Sequence, residues 1–383
     1  MARLSPQRVL VNLTALVSAL RSARRAQAGV LSTLAGPAVR GLLLEQGKRR
    51  DSTVRSSRRD ATFSWTYRHD RPDLARLHHA GRDGQWNPDE VLDWSTAVDP
   101  FDPGVPLVTG AQSPLPELPA FRRLSAREQL VQQRDVVAWT LSQFLHAEQG
   151  ALFIACELTE ASVWTDGKLF GSTQVVDEGR HVEVFDRYIA TKLEKRYPIN
   201  NNLFVVLDAV LTDTRWDMKL LGMQILVEGL ALGAFGTMRA ATREPLLREL
   251  LRRVMSDEVR HVQFGVLALE GHVATLGDGE RRLREDFAFE MCQLLRNRFL
   301  AHEFYEEHWA HAMSRRAWDR FVLGTAYMRR FRTNVFRRII PNLKRIGLLS
   351  DRVRPAYAAI GLLEMEHERA APEMRLEDLI AEG

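Results

Sequence analysis

From residue 125 to about residue 312, apolar positions recur every three or four residues and β-branched alternation is nearly absent, a pattern that predicts long helices. Asp166-Gly167, Pro198, Pro245 and Gly277-Asp278-Gly279 punctuate the stretch, giving helices at about 125–164, 168–196, 203–241, 244–276 and 279–313, the first of which could be two. Ser125 with Glu128 three residues later forms a capping box and marks the start. Two more helical stretches follow Arg315. Upstream, Pro100, Pro103, Pro106, Pro114, Pro116 and Pro119 predict an extended, non-helical lead-in. The aromatics Phe63, Trp65, Tyr67, Trp86 and Trp94 of residues 61–98 are expected to pack on something. Near the start, Val9, Leu10, Leu13, Leu16, Val17 and Leu20 recur at helical spacing and predict an amphipathic helix. The fold class is therefore all-α: a helix bundle at 125–312, C-terminal helices at 313–383, a lead-in at 61–124 and an N-terminal arm at 1–60.

Charge changes this picture at one place. The chain of 383 residues carries a formal net charge of +4. Residues 1–60 hold twelve basic side chains, including Arg8, Arg40 and Lys48, against Glu45, Asp51 and Asp60. A basic arm on a mildly acidic body is read first as an oligomer-contact or body-packing helix, so a homodimer is expected. Contact with an anionic membrane surface is the second reading, and nucleic acid is not expected. Cys156 and Cys292 are too few for a disulfide framework or a four-cysteine metal site and fit a reducing compartment. No run of 18 uncharged apolar residues predicts a membrane span. A cytoplasmic protein, with peripheral membrane attachment as the variant, is the expectation.

Two segments repeat each other. Asp177-Glu178-Gly179-Arg180-His181 and Asp257-Glu258-Val259-Arg260-His261 are both D-E-x-R-H, with Glu and His on one face of a helix. A lone Glu interrupts an apolar helix thirty residues before each: Glu148 before Glu178, Glu228 before Glu258. An antiparallel helix pair returns to the same height over such an interval, so each Glu faces its E-x-x-H across one hairpin. Four carboxylates and two imidazoles make an oxygen- and nitrogen-rich cage suited to two divalent ions of the iron or manganese kind. Without cations, four buried carboxylates would be prohibitively costly. Glu364 and His367 form a third E-x-x-H, but Asn334 stands thirty residues earlier and the flanking Asp and Arg are missing, so that pair is read as surface. On the first helix, Glu157 and Glu160 project elsewhere on the wheel, which leaves Glu148.

These residues make the chain resemble the ferritin-like di-iron carboxylate superfamily in its oxygen-activating branch: monooxygenase hydroxylases, acyl-carrier-protein desaturases and ribonucleotide reductase small subunits. The resemblance covers roughly residues 125–312 and implies a ferritin-like four-helix bundle. It also implies that Asp177 orients His261 and Asp257 orients His181, with Arg180 and Arg260 tying the aspartates down. It departs from the radical-storing reductases at Phe185, where they place Tyr, and from hydroxylases and desaturases at Ala231 and Leu232, where a Thr is usual. Leu251 to Met255 contain no further His of the N-oxygenase kind. The second interval is about a turn shorter than in most hydroxylases.

The resemblance implies two iron ions, with a mixed manganese/iron pair as the variant, that activate O2 to hydroxylate, desaturate or otherwise oxidise an organic molecule. A non-catalytic di-metal protein, iron-oxidising or assembling, is the alternative. No dinucleotide fingerprint, P-loop or cysteine cluster is present, so a separate ferredoxin or reductase is expected to supply electrons. Small residues crowd both lone glutamates: Ala147, Gly150, Ala151 and Ala155 near Glu148, and Gly222, Gly229, Gly233 and Gly236 near Glu228. They predict either close helix packing or room for a hydrophobic substrate lined by Phe144, Phe185, Phe235 and Phe264.

Overall fold

A computed structural model describes residues 5–22, 28–49, 52–54, 61–109, 113–375 and 377–378. All regular structure among them is helical. The N-terminal part holds α1 (Pro6–Ser22), α2 (Ala28–Ala38) and α3 (Gln46–Arg49), and the lead-in holds α4 (Pro72–Asp83), α5 (Pro88–Val91) and α6 (Pro119–Arg122). The central part comprises α7 (Ala126–Ala161), α8 (Thr165–Tyr188), α9 (Asn201–Thr212), α10 (Trp216–Leu220), α11 (Gly229–Ala241) and α12 (Pro245–Leu269). Then come α13 (His272–Thr275), α14 (Asp278–Arg298), α15 (His302–His308), α16 (Arg315–Gly324) and α17 (Ala326–Phe336), with short helices after them. A π-helical segment, Leu221–Glu228, joins α10 to α11 into one rod that ends its wide turns at Glu228.

Local chemistry sets the boundaries. The Ser125–Glu128 capping box opens α7, which runs unbroken for 36 residues. Glu244 caps α12 by accepting from the Leu246 and Leu247 amides, and Pro245 occupies the first turn, where its missing N–H costs nothing. The helix expected at 203–241 is two. Asp213 accepts from the Arg215 amide and grips its guanidinium at 2.7–3.0 Å, a side-chain turn that ends α9 without Pro or Gly. The helices expected at 244–276 and 279–313 break near Gly271, which has φ of +89°, and after Arg298. The lead-in expected to be non-helical contains α5 and α6, each starting on a proline as its first helical residue. Of the five aromatics there, Trp86 is buried and Trp94 half-buried, whereas Phe63, Trp65 and Tyr67 are 76, 80 and 67% exposed.

α7 and α8 are antiparallel, since Thr159 meets Gly171 while Glu148 meets His181. The α10–α11 rod and α12 are likewise antiparallel: Gln224 meets Gly265 and Gly236 meets Met255. α8 and α12 cross through Asp177–His261 and His181–Asp257. Phe144 against Phe235 and Glu157 against Lys219 complete the ring between α7 and the α10–α11 rod. That rod is apolar and long enough to cross a membrane by composition, and 89% of the stretch is buried inside the protein. The small residues beside Glu228 serve close packing: a Cβ on Gly233 would lie 2.7 Å from the Asn334 carbonyl oxygen and the Val335 Cα.

Part of the arm is tied to the body. Arg8 pairs with Glu45 and Glu306, Arg40 with Asp208 and Lys48 with Glu303. Along α1, Leu16 is buried and Leu10, Leu13 and Val17 are exposed. Arg3, Arg24, Arg25, Arg50, Arg55, Arg58 and Arg59, with Asp51, Asp60 and the side chains of Leu20 and Arg21, lie outside the described residues.

Candidate metal centre

Four rods deliver six ionisable side chains to one buried point. Glu148 comes from α7, Glu178 and His181 from α8, Glu228 from the end of the π segment, and Glu258 and His261 from α12. All six are buried. They fall into two overlapping groups, Glu148–Glu178–His181–Glu258 and Glu178–Glu228–Glu258–His261, each with one ligand atom per residue within 4.8 Å of the others. The groups are related by a pseudo-twofold exchange. His181 Nδ1 lies 3.1 Å from Glu258 and 3.5 Å from Glu178, while His261 Nδ1 lies 3.1 Å from Glu178 and 3.5 Å from Glu258. The imidazole centroids are 6.0 Å apart.

The ring edges facing away from the cluster are held by carboxylates. His181 Nε2 is 3.2 Å from Asp257 Oδ2, and His261 Nε2 is 3.2 Å from Asp177 Oδ2. A carboxylate only accepts, so each Nε2 carries a proton and each Nδ1 faces the cluster. Arg180 donates to Asp177 and, at 3.0 Å, to Asp257, and Arg260 donates to Asp257 and lies 3.6 Å from Asp177. The two arginines thus tie both aspartates into one network.

The network contains residues that sequence reasoning missed. Trp86 Nε1 donates to Asp257 at 2.8 Å, and Gln85 donates to Asp177 while accepting from Arg180, both at 2.7 Å. The Arg180 guanidinium also lies 4.6 Å over the Trp86 ring. Both residues follow the end of α4, which packs on α8 and α12. Inside the cluster, Gln174 donates to Glu178 and Glu228 at 3.3 Å, and Gln224 donates to Glu228 at 3.4 Å. Each glutamine stands one turn before its glutamate, and that spacing was the available signal.

Electrostatics sort the carboxylates. Burial, reinforced by Glu258, pushes Glu148 and Glu228 well above the usual carboxylate range. Burial would raise Glu178 too, but the His181 and His261 imidazoles beside it outweigh burial and hold that group low. Burial opposes charge on both imidazoles, yet the surrounding carboxylates hold His181 and His261 well above their ordinary value. Glu148, Glu228, His181 and His261 therefore favour holding protons in the metal-free cluster.

The other carboxylates behave differently. Glu157 points away from the cluster to pair with Lys219, and Glu160 is exposed. Glu364 and His367 are exposed, as the sequence predicts. A third acidic group, Asp135, Glu307 and His308, is already neutralised by Arg134 and Lys195. Phe185 and Phe235 pack with Phe144, whereas Phe264 stacks on Phe170 at 4.6 Å. Comparison with known families, curated proteins and solved structures gives no match, so the centre is read from its own geometry.

Proposed function

We propose that these six side chains hold two divalent ions and that the protein is an oxygen-activating oxidoreductase of the ferritin-like di-iron carboxylate kind, oxidising a hydrophobic organic molecule. The observation that carries this reading is a set of stranded lone pairs. Glu178 Oε2, Glu228 Oε2, both Glu258 oxygens and His261 Nδ1 are buried without a hydrogen-bond partner. Several of these atoms are close to one another in distance yet misdirected for hydrogen bonding, as groups facing a common cation would be. Two divalent ions balance four glutamates, as Arg180 and Arg260 balance the two aspartates. The donor set of oxygen and imidazole nitrogen suits iron or manganese.

Once bound, such a pair of ions supplies O2 activation and removal of hydrogen from, or insertion of oxygen into, a neighbouring C–H bond. The chain supplies everything else. Asp177 and Asp257 fix the tautomer of His261 and His181 by holding a proton on each Nε2. Gln174 and Gln224 hold the Glu178 and Glu228 carboxylates from within. Phe144, Phe185 and Phe235 form a dry wall beside Glu148, which keeps water from the site. An apolar wall favours oxidation of an organic molecule over iron storage, which needs a hydrophilic entry. An external ferredoxin or reductase completes the proposal. The test is an oxygen electrode: protein loaded with Fe(II) under argon and then exposed to O2 is expected to consume it in proportion to bound iron. Loaded protein that takes up no O2 leaves a metal-binding scaffold and sinks the oxidase.

A further inference from the structure

A cavity of about 90 Å³ lies on the far side of the Phe144 wall. Its lining runs along α7 from Val136 to Phe144, N-terminal to Glu148, and along α11 from Ala234 to Ala241, C-terminal to Glu228. The two rods are antiparallel, so both offsets point to the same end of the molecule. At the helical rise the cavity begins about 6–9 Å beyond the glutamates along the helix axes. The end of α14, with α15, α16 and α17, closes the other side.

Most polar side chains of this lining are used by the protein itself. Gln143 donates to the Pro198 carbonyl and accepts from the Asn200 amide. The Trp139 indole donates to Glu303 and the Trp318 indole to the Leu300 carbonyl. Thr140 and Thr237 bond carbonyls one turn back on their own helices. The Tyr327 hydroxyl and Arg298 are not, and Arg298 is the one ionic side chain of the lining. It ends α14 and is buried, and its Nε has no partner. Among the described residues its side chain makes no hydrogen bond or ion pair, and its guanidinium lies 4.9 Å from the centre of the Phe299 ring. Burial pulls the guanidinium down to about 10, so it stays cationic at neutral pH. A buried cation facing an apolar hole needs an anion, and a guanidinium fork fits a carboxylate.

We propose that Arg298 receives the carboxylate of a compact apolar monocarboxylic acid whose hydrocarbon part fills the cavity toward Glu148 and Glu228. The volume is well under the roughly 150 Å³ of an apolar cavity that takes benzene, so it suits a short tail of about four or five carbons, as in hexanoate, and is too small for a long-chain lipid. The proposal rests on the oxidase reading for the fate of the acid, but binding the acid requires no metal.

The test is calorimetric titration of the full-length protein as purified with hexanoate, palmitate and hexanol. Hexanoate is expected to bind at least about tenfold more tightly than hexanol, and palmitate more weakly than hexanoate. Arg298→Gln is expected to lose at least about tenfold in acid affinity while Arg298→Lys keeps part of it, both with parental helix content by circular dichroism. Hexanol binding as tightly as hexanoate, undiminished acid binding by Arg298→Gln, or no acid binding by the folded parent would overturn the proposal. Arg298-dependent acid binding by a chain that takes up no iron or O2 would retain this proposal and sink the oxidase. The opposite pattern would do the reverse.

Discussion

Arg180 and Arg298 are buried to nearly the same degree, 7 and 3% exposed, and differ in everything around them. Arg180 spends its guanidinium on Asp177, Asp257 and Gln85 and lies over the Trp86 ring. Arg298 has a phenyl face and an apolar cavity. The first charge belongs to the folded protein, which supplies its counter-ions and uses them to aim two histidines. The second is left open, and an unmet charge at the wall of a hole specifies what would fill it. The same contrast separates the two carboxylate groups: Asp135 and Glu307 are neutralised by their own neighbours, whereas Glu178, Glu228 and Glu258 keep unpartnered oxygens.

The largest expected effect breaks that contrast directly. Arg180→Met removes one of the two guanidinium partners of two buried aspartates and is expected to cost about 3 kcal/mol in urea unfolding. Arg298→Met removes an unpaired cation and is expected to leave stability within about 1 kcal/mol of the parent, or to raise it. Equal losses in the two variants would mean that Arg298 has a structural partner after all. Next, Trp86→Phe removes the indole N–H from Asp257 while keeping the ring under Arg180. Metal affinity, measured by competition with a chelator, is expected to fall by about tenfold through looser positioning of His181, with helix content unchanged.

The smallest effect is graded with pH. Glu148, Glu228, His181 and His261 all have raised proton affinity in the metal-free protein. Their protonated forms stabilise the fold at low pH, and that contribution is lost as pH rises through the folded values. Glu178 and Asp257 are held low and act in the opposite sense, losing their contribution as pH falls below the ordinary carboxylate range. Metal must displace the protons held by the cluster, so the rise in melting temperature on adding Mn(II) is expected to grow from about pH 5 to pH 8, with proton release on binding. A metal-induced rise that is flat across this range would count against ligation by these groups.

Much of the centre was legible because its chemistry is periodic. Glu and His three residues apart share a helix face, and the same thirty-residue interval occurs twice, so sequence alone brought six side chains to one height. Gln174 and Gln224 followed the same logic, one turn before Glu178 and Glu228, yet a neutral amide in an apolar stripe draws less attention than a carboxylate. Gln85 and Trp86 were out of reach: they sit in a lead-in some 90 residues from Asp177, where no helical period ties them to the central helices. Arg298 reads in sequence as an ordinary basic residue of a last turn, beside Arg296, and only the fold shows it without a partner. The fold class was legible from the hydrophobic period, while the α9–α10 break escaped because Asp213 and Arg215 end the helix by side-chain bonds. Phe63, Trp65 and Tyr67 misled because aromatic content alone does not say which face is covered.

The central claim is that these six groups hold two ions. Full-length protein is loaded with Fe(II) under argon, desalted and assayed for iron per chain by mass spectrometry, beside the double variant Glu178→Ala/Glu258→Ala. Two irons per parent chain and at most a trace in the variant are predicted. A parent chain holding less than one iron, or a variant holding as much as the parent, would contradict the account.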